Sequence, residues 1–282
     1  MKLPARRRVL SKIVVWLCGL AVVVALVPLA LVFFYVIKQG FASLNWAFFT
    51  RMPKPVGEAG GGMANAILGT FFLIVIASSL AIPVGLIAGV YLSEHGKARF
   101  ASLVRFTADV LNGVPSIVIG IFAYGLAVLP VHRFSALAGG LALGFMMIPI
   151  ITRTTEELLN LVPSTLREGA LALGATRARA TFGVMVPAAL PGIMTGILVA
   201  LARIAGETAP LLFTSFNNRF FSTRLDQPIA SLTVQVFTYA ISPYDDWHRQ
   251  AWAGALVLVS FVFVFSVLAR IVTRRLERMH RT

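Results

Sequence analysis

Arg203 and Glu207 are the residues whose types and spacing most clearly invite chemistry. They stand in Ala202-Arg203-Ile204-Ala205-Gly206-Glu207-Thr208-Ala209-Pro210, inside a long apolar run. An ionisable side chain near the centre of a bilayer costs at least about 2.5–3.5 kcal/mol on insertion scales, so it usually faces a partner or a water-filled path. At positions i and i+4 the two side chains would share a helix face and could neutralise each other. Gly206 and Pro210 loosen the helix locally, which favours a cavity-lining place over a lipid-facing one. Two readings follow. In one, the pair is a salt bridge that only anchors helices. In the other, Arg203 transiently receives an anion, because a guanidinium offers a planar fork of donors matched to tetrahedral oxyanions and stays charged. Glu207 would then hold it in position and keep the anion from binding too tightly to leave. Residue chemistry gives an oxyanion and does not separate phosphate from sulfate or molybdate.

Other chemistry finds little support. The single cysteine, Cys18, lies in the first apolar run, and His95, His132, His248 and His280 are scattered over separate loops and the tail. No disulfide or metal-ligand cluster follows from that pattern. No G-x-x-x-x-G-K-[ST] occurs; Gly96-Lys97-Ala98 lacks the hydroxyl residue and the upstream glycine that cradle phosphates. Nor is there a plausible set of nucleophile, base and oxyanion donors. The chain reads as a non-enzyme without a cofactor of its own.

The elements that must position Arg203 and Glu207 are membrane helices. Of 282 residues, 58% are hydrophobic and 13% charged, against about 25% charged in a soluble domain. The net charge of +14 is spread in short clusters between apolar runs, which is membrane topology and not a basic nucleic-acid-binding face. A spanning helix needs about 20 mostly apolar residues. Six runs qualify, at about 13–37, 66–92, 107–130, 135–152, 187–213 and 250–272. The first follows Arg6, Arg7, Arg8 and Lys12, but it is too long for a signal peptide and lacks a small-residue cleavage site. Seventeen Lys and Arg lie in the termini and the loops near 93–106 and 153–186, against seven in the alternate segments. The positive-inside rule therefore puts both termini in the cytoplasm. Outer loops 38–65 and 214–249 are long. The first, with Met52-Pro53-Lys54-Pro55 and Gly60-Gly61-Gly62, is expected to be irregular and mobile. Within the second, Ile229 to Ala240 is too short to span and reads as an interfacial or re-entrant helix.

The cytoplasmic loop 153–186 carries the second constellation. Pro163 ends the preceding helix. Thr165 and Glu168 have capping-box spacing, so a new helix is expected there. Leu166, Ala170 and Leu173 share a face, and Gly174 suits a helix stop. A second short helix with Arg177 and Arg179 leads to Pro187 and Pro191, which open the fifth span. An amphipathic segment resting on headgroups is the simpler reading; a hairpin displayed to a partner is the other.

Written out, the loop is Glu168-Gly169-Ala170-Leu171-Ala172-Leu173-Gly174, then Val186-Pro187 and Pro191-Gly192-Ile193. It resembles the coupling loop of ABC importer permeases, with Gly169 in place of an alanine. The run Arg203-Ile-Ala-Gly-Glu-Thr-Ala-Pro-Leu-Leu is very similar to a segment of the PstA-type permeases, one of two membrane subunits of the phosphate ABC importer. Gly113-Val-Pro-Ser-Ile-Val-Ile-Gly120, Arg153-Thr-Thr-Glu-Glu157 and Val162-Pro-Ser-Thr-Leu-Arg-Glu168 extend the resemblance over nearly the whole chain. It implies an all-α, type I importer-like permease of six spans in the bacterial inner membrane. It also implies roles in the phosphate path for Arg203, Glu207, the adjoining Thr208 and, at the cytoplasmic end of the fourth span, Arg153. Arg153 fits an exit-side contact, a gate or an interfacial anchor. The coupling role falls on Glu168, Gly169, Ala170, Leu173 and Gly174. Implied partners are a second permease, two copies of an ATPase that binds the ATP and magnesium, and an extracytoplasmic phosphate-binding protein.

A permease for another oxyanion is the near rival. A proton- or sodium-driven transporter with Glu207 as carrier would call for an inverted repeat, and none is evident. A scaffold without transport leaves the Arg203 and Glu207 pair unexplained.

Overall fold

The computed structural model describes residues 5–56, 58, 60–96 and 98–279. Lys2, Lys97, His280 and Arg281, which entered the sequence reading, lie outside the described residues. In chain order the helices are α1 (Ala5–Ser43), α2 (Trp46–Thr50), α3 (Ala64–Glu94), α4 (Arg99–Gly113), α5 (Ser116–Ala123), α6 (Ala136–Leu161), α7 (Ser164–Ala172), α8 (Arg177–Ala180), α9 (Val186–Ala205), α10 (Ala209–Thr214), α11 (Leu232–Ala240) and α12 (Asp245–Met279). No strand occurs among the described residues. The architecture is all-α, as the apolar runs require.

The core is built on α6, α3 and α9, and small residues let their backbones approach. Each helix carries glycines four apart: Gly85 and Gly89 on α3, Gly140 and Gly144 on α6, Gly192 and Gly196 on α9. A Cβ at Gly85 would fall 2.7 Å from Ile151 Cβ, at Gly89 2.5 Å from Thr155 Cβ, and at Gly140 2.3 Å from Ile76 Cγ2. On α9, a Cβ at Gly196 would lie 2.3 Å from Thr154 Cγ2. In a bilayer, where lipid is as apolar as leucine, this close van der Waals fit is what holds helices together. Around it Leu73, Leu143, Met147, Ile151, Ile193 and Ile204 are buried.

These contacts also fix directions. Positions 76, 85 and 89 on α3 meet 140, 151 and 155 on α6 in ascending order, so α3 and α6 run parallel. The chain between two parallel neighbouring spans must itself cross the membrane once. Among the described residues, five helices are long and apolar enough to span, and the bent pair Arg99–Gly113 with Ser116–Val131 makes a sixth. The parallel packing requires that sixth crossing.

Several boundaries differ from expectation. The third span is not one helix over 107–130: its two halves meet at 109°. Pro115 pushes the preceding Val114 out of helical backbone, to φ −72 and ψ 132. The leading half, α4, buries Ala101 and Ala108 and exposes Phe100, Leu103, Phe106 and Val110, the pattern of a helix lying in the interfacial plane. The fifth span starts ten residues earlier than expected, since helix is continuous over Arg177–Ala205. A π-turn at Thr181–Met185 accounts for this. The ring of Pro187 meets the carbonyl four residues back, at Gly183, which lies in that widened turn. The span also stops at Ala205, and 209–213 belong to the separate α10.

At the opposite end, loop 38–65 is less irregular than its glycines suggest. α1 runs on to Ser43, and α2 is capped by Asn45, whose carboxamide oxygen accepts the Phe48 N–H at 2.8 Å. α1 itself is largely exposed and approaches α12 near Gly40, where an added Cβ would meet Leu256 Cβ at 2.6 Å. Tyr35 and Trp252 pack edge to face there at 5.3 Å. In loop 214–249 the segment from Ile229 holds α11, capped by Ser231 and buried through Leu232, Val234, Gln235 and Tyr239. Nearby, the Arg224 guanidinium holds the Asp226 carboxyl below its ordinary range.

Candidate translocation path and coupling hairpin

The expected i, i+4 bridge between Arg203 and Glu207 does not form. α9 ends at Ala205, and Gly206 caps it with φ −95 and ψ 0. Glu207 therefore lies past the helix end, where the 100° per residue register that would align it with Arg203 no longer applies. Among the described residues neither side chain has an ion-pair partner. The break is nevertheless held firmly. The Thr233 hydroxyl, from α11, donates to the Glu207 carbonyl at 2.8 Å, and the Thr208 carbonyl accepts from Leu211 and Leu212 at 3.1 and 3.2 Å. Pro210 seats against α5, where a Cβ at Gly120 would be 2.6 Å from its Cα.

Arg203 is exposed on the side of α9 that also carries Ala188, Thr195 and Val199, while Ala189, Ile193, Ile197, Ala200 and Ile204 are buried on the other. Glu207 and Thr208 are half-buried. A charged, unneutralised guanidinium thus projects from a membrane helix away from the chain's own core, next to an unwound segment. Burying such a charge against lipid is costly, so this face suits a polar neighbour or a water-filled space.

Arg153 stands elsewhere, in the half of α6 that leads to α7, eight residues before the helix ends at Leu161. Its Nε pairs with Asp109 of α4 at 2.9 Å and its Nη1 donates to Glu156 at 2.5 Å, with Glu157 at 3.8 Å. Glu156 is buried and also accepts from Arg105 Nε at 2.9 Å. Three carboxylates surround Arg153, so it joins α4 to α6. Spacing showed Glu156 and Glu157 beside Arg153; Asp109 and Arg105 come from another helix, and nothing local to Arg153 pointed to them.

In the 153–186 loop, α6 ends at Leu161, and α7 begins at Ser164 behind Pro163. The expected capping box is absent: the helix starts two residues earlier, with Pro163 in the cap position, so Thr165 sits inside the first turn and cannot act as the cap. The helix stop at Gly174 is present. Its φ is +82, Gly174 N–H donates to Leu171 O at 2.9 Å, and Ala175 N–H to Ala170 O at 3.1 Å, which is the Schellman arrangement. α8 follows, capped by Thr176. No residue of α7 is buried. Glu168 and Gly169 are exposed, Ala170 is half-buried, and Leu173 is 91% exposed at the tip. Leu166 and Ala170 do not make an inward apolar stripe, because Leu166 is exposed too.

One residue that sequence reasoning passed over ties this hairpin down. Glu94, the last residue of α3, receives the Arg167 guanidinium from α7 and the Thr181 hydroxyl at 2.9 Å. A glutamate at a helix end carries no local signal of such a contact. The remaining candidates stay apart: Cys18 is exposed, His95 stacks on Tyr91, and His248 bonds the Ser242 carbonyl.

Residues 81–278 match the family of binding-protein-dependent transport system inner membrane components. The chain is 44% identical to the phosphate transport system permease protein PstA of Yersinia pestis over 96% of its length and 92% of the relative's. It is 41% identical to PstA of Haemophilus influenzae, with 94% of each covered. Its fold is similar to a solved chain of the inward-facing MetNI methionine ABC transporter, with TM-score 0.61 and 19% identity over 76% of this chain and 94% of that one. An amino acid ABC transporter chain aligns with TM-score 0.57, 17% identity, and 76% and 93% coverage. With its helical membrane fold and near full-length identity to these permeases, the chain belongs to the binding-protein-dependent transport system inner membrane components, among the PstA-type permeases.

Proposed function

We propose that this permease is one half of the translocation path of an ATP-driven phosphate importer, paired with a second, homologous permease. The observation that carries this reading is the α7–Gly174–α8 hairpin, which buries nothing of α7 and presents Leu173 at its tip. Such a surface makes sense as a docking element for another subunit, and it supplies the coupling that a chain without a nucleotide site needs. Glu168, Gly169, Ala170, Leu173 and Gly174 form that element in this proposal, and a cytoplasmic ATPase dimer binds the ATP and magnesium. Closure of the dimer draws the hairpins together and turns the path toward an extracytoplasmic phosphate-binding protein.

The substrate is argued from Arg203 and from relatives named for phosphate transport. Arg203 offers its fork to the anion, Glu207 limits how tightly the anion is held, and Thr208 adds a hydroxyl at the break. Arg153, engaged by three carboxylates, acts in this proposal as an interhelix pin at the exit side rather than as a phosphate ligand. The test is uptake of labelled phosphate by membrane vesicles carrying the full complex. A tenfold excess of sulfate or molybdate is expected to leave the rate within about twofold, since a site built on specific donors rejects a mismatched ligand. Equal competition by sulfate would redirect the proposal to a general oxyanion permease.

The 17-to-7 distribution of flanking Lys and Arg supports a cytoplasmic position for both termini. With Cys18 replaced, Tyr244→Cys is expected to react with a membrane-impermeant thiol reagent from outside, and Leu173→Cys only after permeabilisation. Both positions are accessible, at 40% and 91%. The opposite labelling pattern would refute the orientation and the docking role together.

A further inference from the structure

The hairpin that the preceding reading assigns to ATPase docking hangs from the bundle by two covalent connections, Val162–Pro163 after α6 and the π-turn before α9. Glu94 adds a third attachment, to α3. Its carboxylate is 18% exposed and receives Arg167 from α7 and Thr181 from the π-turn. Thr181 is itself buried, and its hydroxyl lies within bonding distance of both Glu94 and the Arg177 carbonyl. One side chain thus touches both arms of the hairpin.

The sequence of α7 divides accordingly. Arg167 turns back to the chain's own bundle, while its neighbour Glu168 is exposed and has no partner among the described residues. Beside the contact lies a cavity of about 250 Å³ lined by Glu94, Arg167, Leu171 and Arg177. Arg167 Nε is buried there without a hydrogen-bond partner. The contact is therefore strong in charge yet not packed solid, as a link that must move would need.

We infer that Glu94 is a positioning residue that transmits hairpin movement to α3, making α3, α6 and α9 respond to the ATPase together. Chain connectivity alone would drive α6 and α9. Without Glu94, α3 would follow only through its contacts with α6, the glycine-lined fit that reaches Gly89 on Thr155 and the Ser93 hydroxyl on Asn160. A charge-assisted contact at the end of α3 delivers the movement where it originates. This inference rests on the coupling reading above.

The experiment uses the complete complex reconstituted in vesicles and reads ATP hydrolysed per phosphate carried. Glu94→Gln keeps an acceptor for Thr181 and removes the charge that holds Arg167; Arg167→Gln removes the same charge pair from the other side. Each is expected to assemble with the ATPase, hydrolyse ATP within about twofold of wild type, and raise the ATP-to-phosphate ratio about tenfold, the usual size of a coupling energy. Thr181→Val is expected to raise it by about threefold, as one neutral hydrogen bond would. An unchanged ratio in both charge variants, whether turnover falls or not, overturns the inference. So does loss of the assembled complex in both, which would make the contact a folding element. Failure of the wild-type complex to carry phosphate would instead strike the reading on which the inference depends.

Discussion

Removing both charges at the α9–α10 break, as Arg203→Gln with Glu207→Gln, leaves the permease in the membrane at its normal level and stops phosphate transport. If Arg203 served only to neutralise Glu207, the double variant would recover what either single variant lost, because no unpaired buried charge would remain. The geometry argues against that simple pairing: α9 ends between the two residues, and no ion pair joins them among the described residues. What the double variant loses is a bidentate donor for the anion. Charged hydrogen bonds are worth about 1.5–3 kcal/mol each, so losing both arms of the fork is expected to cut uptake by at least about 100-fold. Arg203→Lys, which keeps the charge and loses the fork, is expected to lie between. Uptake near wild type in the double variant, at equal protein level, would return Arg203 to a structural role.

The second large effect belongs to the hairpin tip. Gly174→Asp and Glu168→Lys are each expected to abolish uptake while the protein still reaches the membrane. At Gly174 the reason is not a clash, since an added Cβ meets nothing within 4 Å. A β-carbon at φ +82 costs about 1 kcal/mol, which the fold tolerates. The carboxylate then stands at the tip beside Leu173, on the surface offered to the ATPase. Gly174→Asn provides the control: asparagine accepts left-handed backbone and adds no charge, so it is expected to retain most uptake. Gly169→Ala should be silent, because the site is helical and open. Uncoupled ATPase activity or lost co-purification in Gly174→Asp would fit; normal uptake would remove the tip from the interface.

Much of this could be read from the residues, and the misses share a cause. Apolar run length located the spans because lipid imposes it on every spanning helix. Gly174 was legible because left-handed backbone is a local demand. The break at Pro115 was also signalled locally, by the Val114-Pro115 pair, but the apolar run continues through it and masked the bend. The Arg203 and Glu207 spacing misled because it presumed an unbroken helix, although Gly206 lay between them. Glu94, Asp109 and Arg105 were not legible at all. Their roles depend on which helices meet at one end of the bundle, and no periodicity records that.

The parallel course of α3 and α6 has a further consequence, for the bilayer itself. The return crossing it demands falls to Ser116–Val131 alone, since α4 bends away by 109°. Those sixteen residues rise about 24 Å at 1.5 Å each, against a hydrocarbon thickness of about 30 Å. Ile117, Val118, Ile121, Phe122, Leu126 and Leu129 are exposed along this segment. Whatever surrounds it must meet a hydrophobic belt several ångströms too short, either by thinning the membrane or by drawing polar groups inward. Lipid acyl length thus enters as a variable at the same segment that braces the α9–α10 break through Gly120 and Pro210.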